Sequence, residues 1–92
     1  MPVTVRFLSA FQDLTHGRKI FFVDENRFSK ILADLEKEIP GLKAKLLDQE
    51  ERIHPAYNVM LIRGDVSHLC HGLEFKVEKG DELVIVPIIS GG

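Results

Sequence analysis

The chain closes with an apolar run that passes directly into two glycines, Leu83-Val84-Ile85-Val86-Pro87-Ile88-Ile89-Ser90-Gly91-Gly92. From Leu83 to Val86 the run is apolar without alternation, which predicts a central strand covered on both faces or nearly so. Regular pairing should end at Pro87, because proline has no backbone N–H to donate to a neighbouring strand. A central strand with a short tail beyond it therefore decides the fold.

The tail itself suggests a function. Gly91 and Gly92 have no Cβ, so they can enter a channel too narrow for other residues. From Ile89 to Gly92 the backbone can extend roughly 13 Å, which would carry a terminal carboxylate into a partner's site. An incidental tail with no role is the alternative, since chain ends often have none.

Upstream of this run, four segments read as strands and one as a turn. Pro2–Leu8 alternates between apolar and polar residues, as a half-buried strand does. Gln12–Arg18 is predicted to be the turn of a hairpin, and the second strand follows over Lys19–Val23. Tyr57–Arg63 is the third strand, and a glycine turn leads from it into the short segment Val66–Leu69.

One main helix lies between these strands. Its apolar residues recur at helical spacing and form one continuous stripe: Phe28, Ile31, Leu32, Leu35 and Ile39. Asn26 is the expected N-cap, and Pro40-Gly41 should end the helix. The following stretch, Gly41–Pro55, is predicted to hold one short helical turn and an exposed charged loop.

Composition limits the class of protein. A chain of 92 residues is expected to form one domain, residues 1–92, too small for a core plus a deep enzyme cleft. The net charge of -2, with acids and bases interspersed, gives no basic stripe for nucleic acid or a membrane surface. Partners should be proteins or small molecules. With no secretion signal and the single cysteine Cys70, a cytoplasmic location is expected.

A second candidate site is the cluster His68-x-Cys70-His71. Zinc sites need four ligands at recognisable spacing, and only the distant His16 and His54 could complete one, so no metal site is predicted. Cys70 as a nucleophile would need a partner base and a lowered pKa. A small buried thiol is the commoner case.

A docking patch is predicted on one face of the sheet. By strand alternation, Leu8, Met60 and Ile62 oppose the neighbouring core positions, and Phe75 is added to them. These four residues are the predicted partner-binding patch. The alternative is that they simply lie beneath the Gly41–Pro55 segment.

The segment from Asn58 to the end has a distinctive order of strand, turns and tail: Asn58-Val59, Gly64-Asp65, Gly72-Leu73, Gly80-Asp81, Pro87 and Gly91-Gly92. In this order and spacing the chain resembles the MoaD/ThiS family of ubiquitin-like sulfur carriers over essentially its whole length. It departs from the family at Arg63, where asparagine is common, and at Pro87-Ile88, which replaces a common Pro-Pro. The resemblance implies an α+β, β-grasp fold, with a mixed sheet of 4–5 strands wrapped around one main helix.

The resemblance also implies a chemistry for the tail. An E1-like adenylating enzyme would activate the Gly92 carboxylate with ATP and Mg²⁺, and sulfide or a persulfide would convert it to a thiocarboxylate. Gly91 would give access, and Pro87, Ile88, Ile89 and Ser90 would contact the partner. The chain would bind no cofactor of its own and would be a carrier, not an enzyme.

The sulfur acceptor stays open on sequence alone. A molybdopterin-synthase large subunit is the first choice, and enzymes that make cysteine or another sulfur metabolite are possible acceptors. Two alternatives also remain: a protein modifier that forms isopeptide bonds through Gly92, and a non-catalytic binding module.

Overall fold

The fold is that of a computed structural model, which describes residues 2–88. Its elements in chain order are β1 (Val3–Phe7), a 3-10 turn (Ser9–Phe11), α1 (Gln12–Thr15), β2 (Ile20–Val23), α2 (Phe28–Glu38), α3 (Leu42–Leu46), β3 (Tyr57–Arg63), β4 (Val66–Cys70) and β5 (Glu82–Pro87). The predicted tail over 89–92 lies outside the described residues.

The five strands form one mixed sheet in the order β2-β1-β5-β3-β4. β5 pairs in parallel with β1 and antiparallel with β3, so the last strand occupies the centre of the sheet, as the sequence predicted. The helices α2 and α3 carry the chain from β2 at one edge of the sheet to β3, and the segment 71–81 then leads from β4 at the other edge back to β5 in the centre. With α2 packed across the sheet, this is the β-grasp, ubiquitin-like arrangement that the resemblance implied.

All three helical segments contribute to a single core on one face of the sheet. Alternate strand residues and the α2 stripe fill it, together with residues of the short helices. The prediction that β5 is covered on both faces was wrong. Leu83 and Ile85 are fully buried, whereas Val84 and Val86 are only half-buried, because the helices lie on one side of the sheet only.

The chain between β1 and β2 is more ordered than the predicted hairpin turn. It forms the 3-10 turn and α1, and Phe11 and Thr15 from these segments are buried. His16 ends α1 in the left-handed conformation, with φ of 55°. The apolar side of this connection thus adds to the core on the covered face.

The N-terminus of α2 is capped by backbone, not by the predicted Asn26 side chain. Arg27 is the N-cap residue, and no side chain caps the helix. Instead the N–H groups of Phe28 and Ser29 donate to the carbonyls of Phe75 and Leu73, at 3.1 and 2.8 Å. These bonds satisfy donors that a helix start leaves free, and they fasten the 73–75 segment to the helix.

Glu36 joins α2 to α3. Its carboxylate accepts the N–H groups of Lys43 at 2.9 Å and Gly41 at 2.8 Å, and these bonds lower the pKa of Glu36. Gly41 has φ of 96°, a conformation that suits glycine and lets the chain turn within the three residues that separate α2 from α3. The joint holds Leu42 and Leu46 in the core, so the Gly41–Pro55 segment stays on the covered face.

Candidate functional site

The root of the tail is fixed by pairing at the end of β5. Pro87 lies opposite Tyr57 as the last paired residue of the strand, in agreement with the prediction that regular pairing ends there. One further bond follows, from the N–H of Ile88 to the carbonyl of Ala56 at 2.8 Å. The calls on Ile89, Ser90, Gly91 and Gly92 lie outside the described residues and stay predictions.

The open face of the sheet faces away from the helices and carries side chains in rows. Residues opposite each other in register share a face, so the pairing gives each row directly. One row runs across all five strands as Ile20, Arg6, Val84, Met60 and Leu69. The next runs as Phe22, Thr4, Glu82, Ile62 and Ser67.

An ion pair divides this open face into two apolar areas. Arg6 Nε lies 2.9 Å from Glu82 Oε2, between β1 and β5. On the β2 side lie Ile20 and Phe22, which we call the edge pair. On the other side lies the tail-side patch, whose six members are Leu8, Met60, Ile62, Leu69, Val84 and Val86. The tail-side patch is continuous with the end of β5 from which the tail departs.

Three of the four predicted patch residues lie on the open face, and one does not. Leu8 is 38 % exposed, and Met60 and Ile62 are half-buried. Phe75 belongs to the covered face, where its ring stacks on Phe28 at 4.8 Å between centroids. The reason is the bonding of the 73–75 segment to the start of α2, which sequence alternation could not show.

The alternative reading of the patch, as residues beneath the Gly41–Pro55 segment, was wrong. That segment packs through Leu42 and Leu46 into the core on the opposite face. The sequence reading also missed Val84, Val86 and Leu69. Val84 and Val86 could have been predicted, because they follow the charged residue Glu82 by two and four positions. Alternate residues of a strand lie on the same face, so both belong on the face of Glu82.

At the far end of β5 from the tail, a buried carboxylate anchors the strand. Asp81 accepts two hydrogen bonds from Arg63, Nε at 2.9 Å and Nη2 at 2.8 Å, and one from the N–H of Glu78 at 2.7 Å. The Arg63 bonds are the main cause of a lowered pKa of Asp81, and they raise the pKa of Arg63. Arg63, which departs from the family pattern, thus ties the end of β3 to the start of β5.

The cluster at His68 and Cys70 has no features of a reactive site. Cys70 is half-buried and packs against the core, and burial raises the pKa of its thiol. A raised pKa disfavours the thiolate, which is the nucleophilic form. Within residues 2–88 no group of three potential ligands could hold a metal ion.

Comparison with known proteins decides the family. The model of the ThiS family matches residues 5–92, nearly the whole chain and including the two terminal glycines. The chain belongs to the ThiS family. The curated relatives of this ThiS-family protein include the sulfur carrier protein CysO of Mycobacterium tuberculosis, 27% identical over the full length of both chains.

Two solved structures place the fold. The Amycolatopsis orientalis BexX/CysO complex contains a chain 30% identical to this one, with a TM-score of 0.79 and coverage of 98% and 99% of the two chains. SAMP1 of Haloferax volcanii covers 100% of both chains with a TM-score of 0.73, and at 20% identity it supports the fold alone. Like the sulfur carriers among its relatives, this ThiS-family protein is a small protein carrier and not an enzyme.

None of the helices in residues 2–88 is long and apolar enough to cross a membrane.

Proposed function

We propose that this protein carries sulfur as a thiocarboxylate on Gly92 and supplies it to an enzyme that makes cysteine or a related amino-acid metabolite. The observation that carries the proposal is the ThiS-family match, which extends through Gly92, combined with full-length similarity to CysO proteins. The relatives give no specific support to the first choice made from the sequence, a molybdopterin-synthase large subunit.

The chemistry begins with a poor electrophile. A terminal carboxylate, with a usual pKa of roughly 3.3 to 3.7, is anionic at neutral pH and resists attack. One carboxylate oxygen attacks the α-phosphorus of ATP and displaces pyrophosphate, which leaves an acyl adenylate on Gly92. Sulfide then attacks the acyl carbon, and AMP departs with the electron pair of the broken C–O bond. The product is the thiocarboxylate. A persulfide donor gives an acyl disulfide instead, which a thiol must reduce.

The adenylating partner supplies ATP, Mg²⁺ and the acid–base groups in this scheme, and the carrier supplies position. β5 pairs with β1 as far as Ile85 and with β3 as far as Pro87, and the N–H of Ile88 donates to Ala56, so backbone hydrogen bonds hold the root of the tail. Holding two reactants in a productive geometry can contribute about 7 to 11 kcal/mol to catalysis. The tail-side patch, next to this point, is the surface proposed to dock the adenylating enzyme.

Deleting Gly92 tests the proposal directly. The deletion should leave the fold intact, because residue 92 lies beyond the last strand, yet it should reduce ATP–pyrophosphate exchange by at least about 100-fold since the reacting carbon is displaced. Adding one residue after Gly92 should have the same effect. The matched control is Cys70→Ser, which should exchange normally. Normal exchange by the truncated protein would rule out the proposed carrier function.

The product separates the remaining candidates. With the adenylating enzyme, ATP and sulfide, the intact mass should rise by the difference between sulfur and oxygen, and fragmentation should place the change on Gly92. On a cysteine-synthase-like enzyme the thiocarboxylate sulfur should then displace the leaving group of an activated serine, which leaves cysteine joined to the acyl carbon of Gly92. Hydrolysis of that acyl bond releases cysteine and restores the Gly92 carboxylate. Linkage of Gly92 to lysines of other proteins, without free thiocarboxylate, would instead identify a protein modifier.

A further inference from the structure

We propose that the cavity at the root of the tail binds an anionic group, a carboxylate or a phosphate. The cavity has a volume of about 340 Å³ and lies between the segment 52–59, the end of β4 and Ile88. This volume is at the lower end of the range of small-molecule pockets, which is about 300–1,000 Å³. Because Ile88 lines the cavity and is the last residue before the tail, a ligand here lies at the root of the tail.

The lining of this cavity has an unusual charge for the molecule. Arg52, His54 and His71 contribute to it, and no acidic residue does. Three other surface cavities each have at least two acidic residues in their lining beside one or two lysines, and the acids are Asp48, Glu51 and Glu74; Asp24 and Glu25; and Asp24, Asp34 and Glu38. In a chain of net charge -2, the cavity beside the tail is the one among these four that favours an anion.

The hydrogen bonds around the cavity leave donors available. His54 Nδ1 accepts the N–H of Ala56 at 3.0 Å, so the neutral ring carries its proton on Nε2 and can donate it. Arg52 pairs with Glu50 at 2.9 Å and with Asp48 at 3.7 Å, which uses part of its charge but not all of its five N–H groups. His54 therefore offers a donor to the anion, and His71 and the remaining N–H groups of Arg52 line the same cavity.

Two sources could supply this anion. One is the carboxylate or thiocarboxylate of Gly92, which a tail of roughly 13 Å from Ile88 could bring back to the cavity. The other is a free small molecule with a carboxylate or phosphate. Both present the same chemistry to the cavity, and a change of tail charge separates them.

The experiment follows the ring signals of all four histidines by NMR while inorganic phosphate is added to the full chain at fixed pH and ionic strength. His54 and His71 line the cavity, whereas His16 and His68 do not and serve as internal controls. We expect saturable shifts at the first two only. A variant with His54→Gln and His71→Gln should bind phosphate at least fivefold more weakly, and His16→Gln with His68→Gln should bind it normally.

A full chain whose C-terminal carboxylate is converted to the carboxamide identifies the source. If the tail occupies the cavity, the amide should shift the rings of His54 and His71 before phosphate is added and should tighten phosphate binding. If a free anion is the ligand, the amide should change neither. Equal or non-saturable shifts at all four histidines would overturn the site. That result would leave the proposed carrier function standing, since activation of Gly92 does not require the cavity.

Discussion

The two faces of the sheet use similar apolar residues for different purposes. On the covered face, residues such as Ile85 and Val59 are fully buried and hold the fold together. On the open face, Val84 and Met60 lie one position away in the same strands, only half-buried and divided from the edge pair by an ion pair. Apolar character alone therefore does not separate the core from the proposed docking surface. The position of the helices does.

β5 shows the difference most directly, because it contributes to both faces and also leads to the tail. Leu83 and Ile85 lie under the helices, and Val84 and Val86 join the tail-side patch. One strand thus contributes to the core, to the proposed docking surface and to the root of the tail. Substitutions on its two faces should have separable effects.

The largest expected effect is on the covered face. Ile85→Ala and Leu35→Ala should each lower the free energy of unfolding by about 2 to 5 kcal/mol, because both leave cavities among fully buried residues. Val84→Ala should cost about 1 kcal/mol or less, since its site is open to solvent on one side. Denaturant midpoints measure all three. An equal loss at Val84 and Ile85 would show that the open face is part of the core.

The next effect concerns the anchor at the start of β5. Asp81→Asn should lower the free energy of unfolding by about 1 to 3 kcal/mol at pH 7, because it removes the ionised partner of Arg63 from a buried site. The folded-state pKa of Asp81 lies below its ordinary value of about 3.9. Its ionised form therefore stabilises the fold fully above that value and loses this contribution as pH falls through the lower folded pKa.

Unfolding measured at pH 7 and at pH 3 tests this sign. The difference in the free energy of unfolding between wild type and Asp81→Asn should be smaller at pH 3 than at pH 7. Asp65→Asn is the matched control, because Asp65 is also a turn acid but is exposed, and it should change stability by less than about 0.5 kcal/mol. If the difference in the free energy of unfolding between wild type and Asp81→Asn were larger at pH 3 than at pH 7, the assigned role of the ion pair would be contradicted.

Sequence patterns predicted the features of the fold that depend on local periodicity. They failed for features that depend on contacts between distant segments of the chain. The β3 bounds, the central place of β5 and the α2 stripe followed from alternation, apolar runs and helical spacing. The placement of Phe75 failed because backbone bonds to α2, not strand alternation, decide its face. The sequence analysis considered His54 and His71 only as possible metal ligands and did not predict the cavity, because its walls come from the 52–55 segment and from the ends of β3 and β4, which only folding brings together.

The smallest expected effect distinguishes the two apolar areas of the open face, the tail-side patch and the edge pair. Met60→Ala, in the tail-side patch, should raise the apparent KM of the carrier in ATP–pyrophosphate exchange by about fivefold, or about 1 kcal/mol, which is the usual cost of truncating a contributing interface residue. Phe22→Ala is the matched control. Phe22 is the more exposed of the two, at 62 %, but it lies beyond the Arg6–Glu82 ion pair and away from the tail. It should leave the KM unchanged, and neither variant should lower the free energy of unfolding by more than about 1 kcal/mol. If Phe22→Ala raised the KM as much as Met60→Ala, the ion pair would not bound the docking surface, and the partner would cover the whole open face.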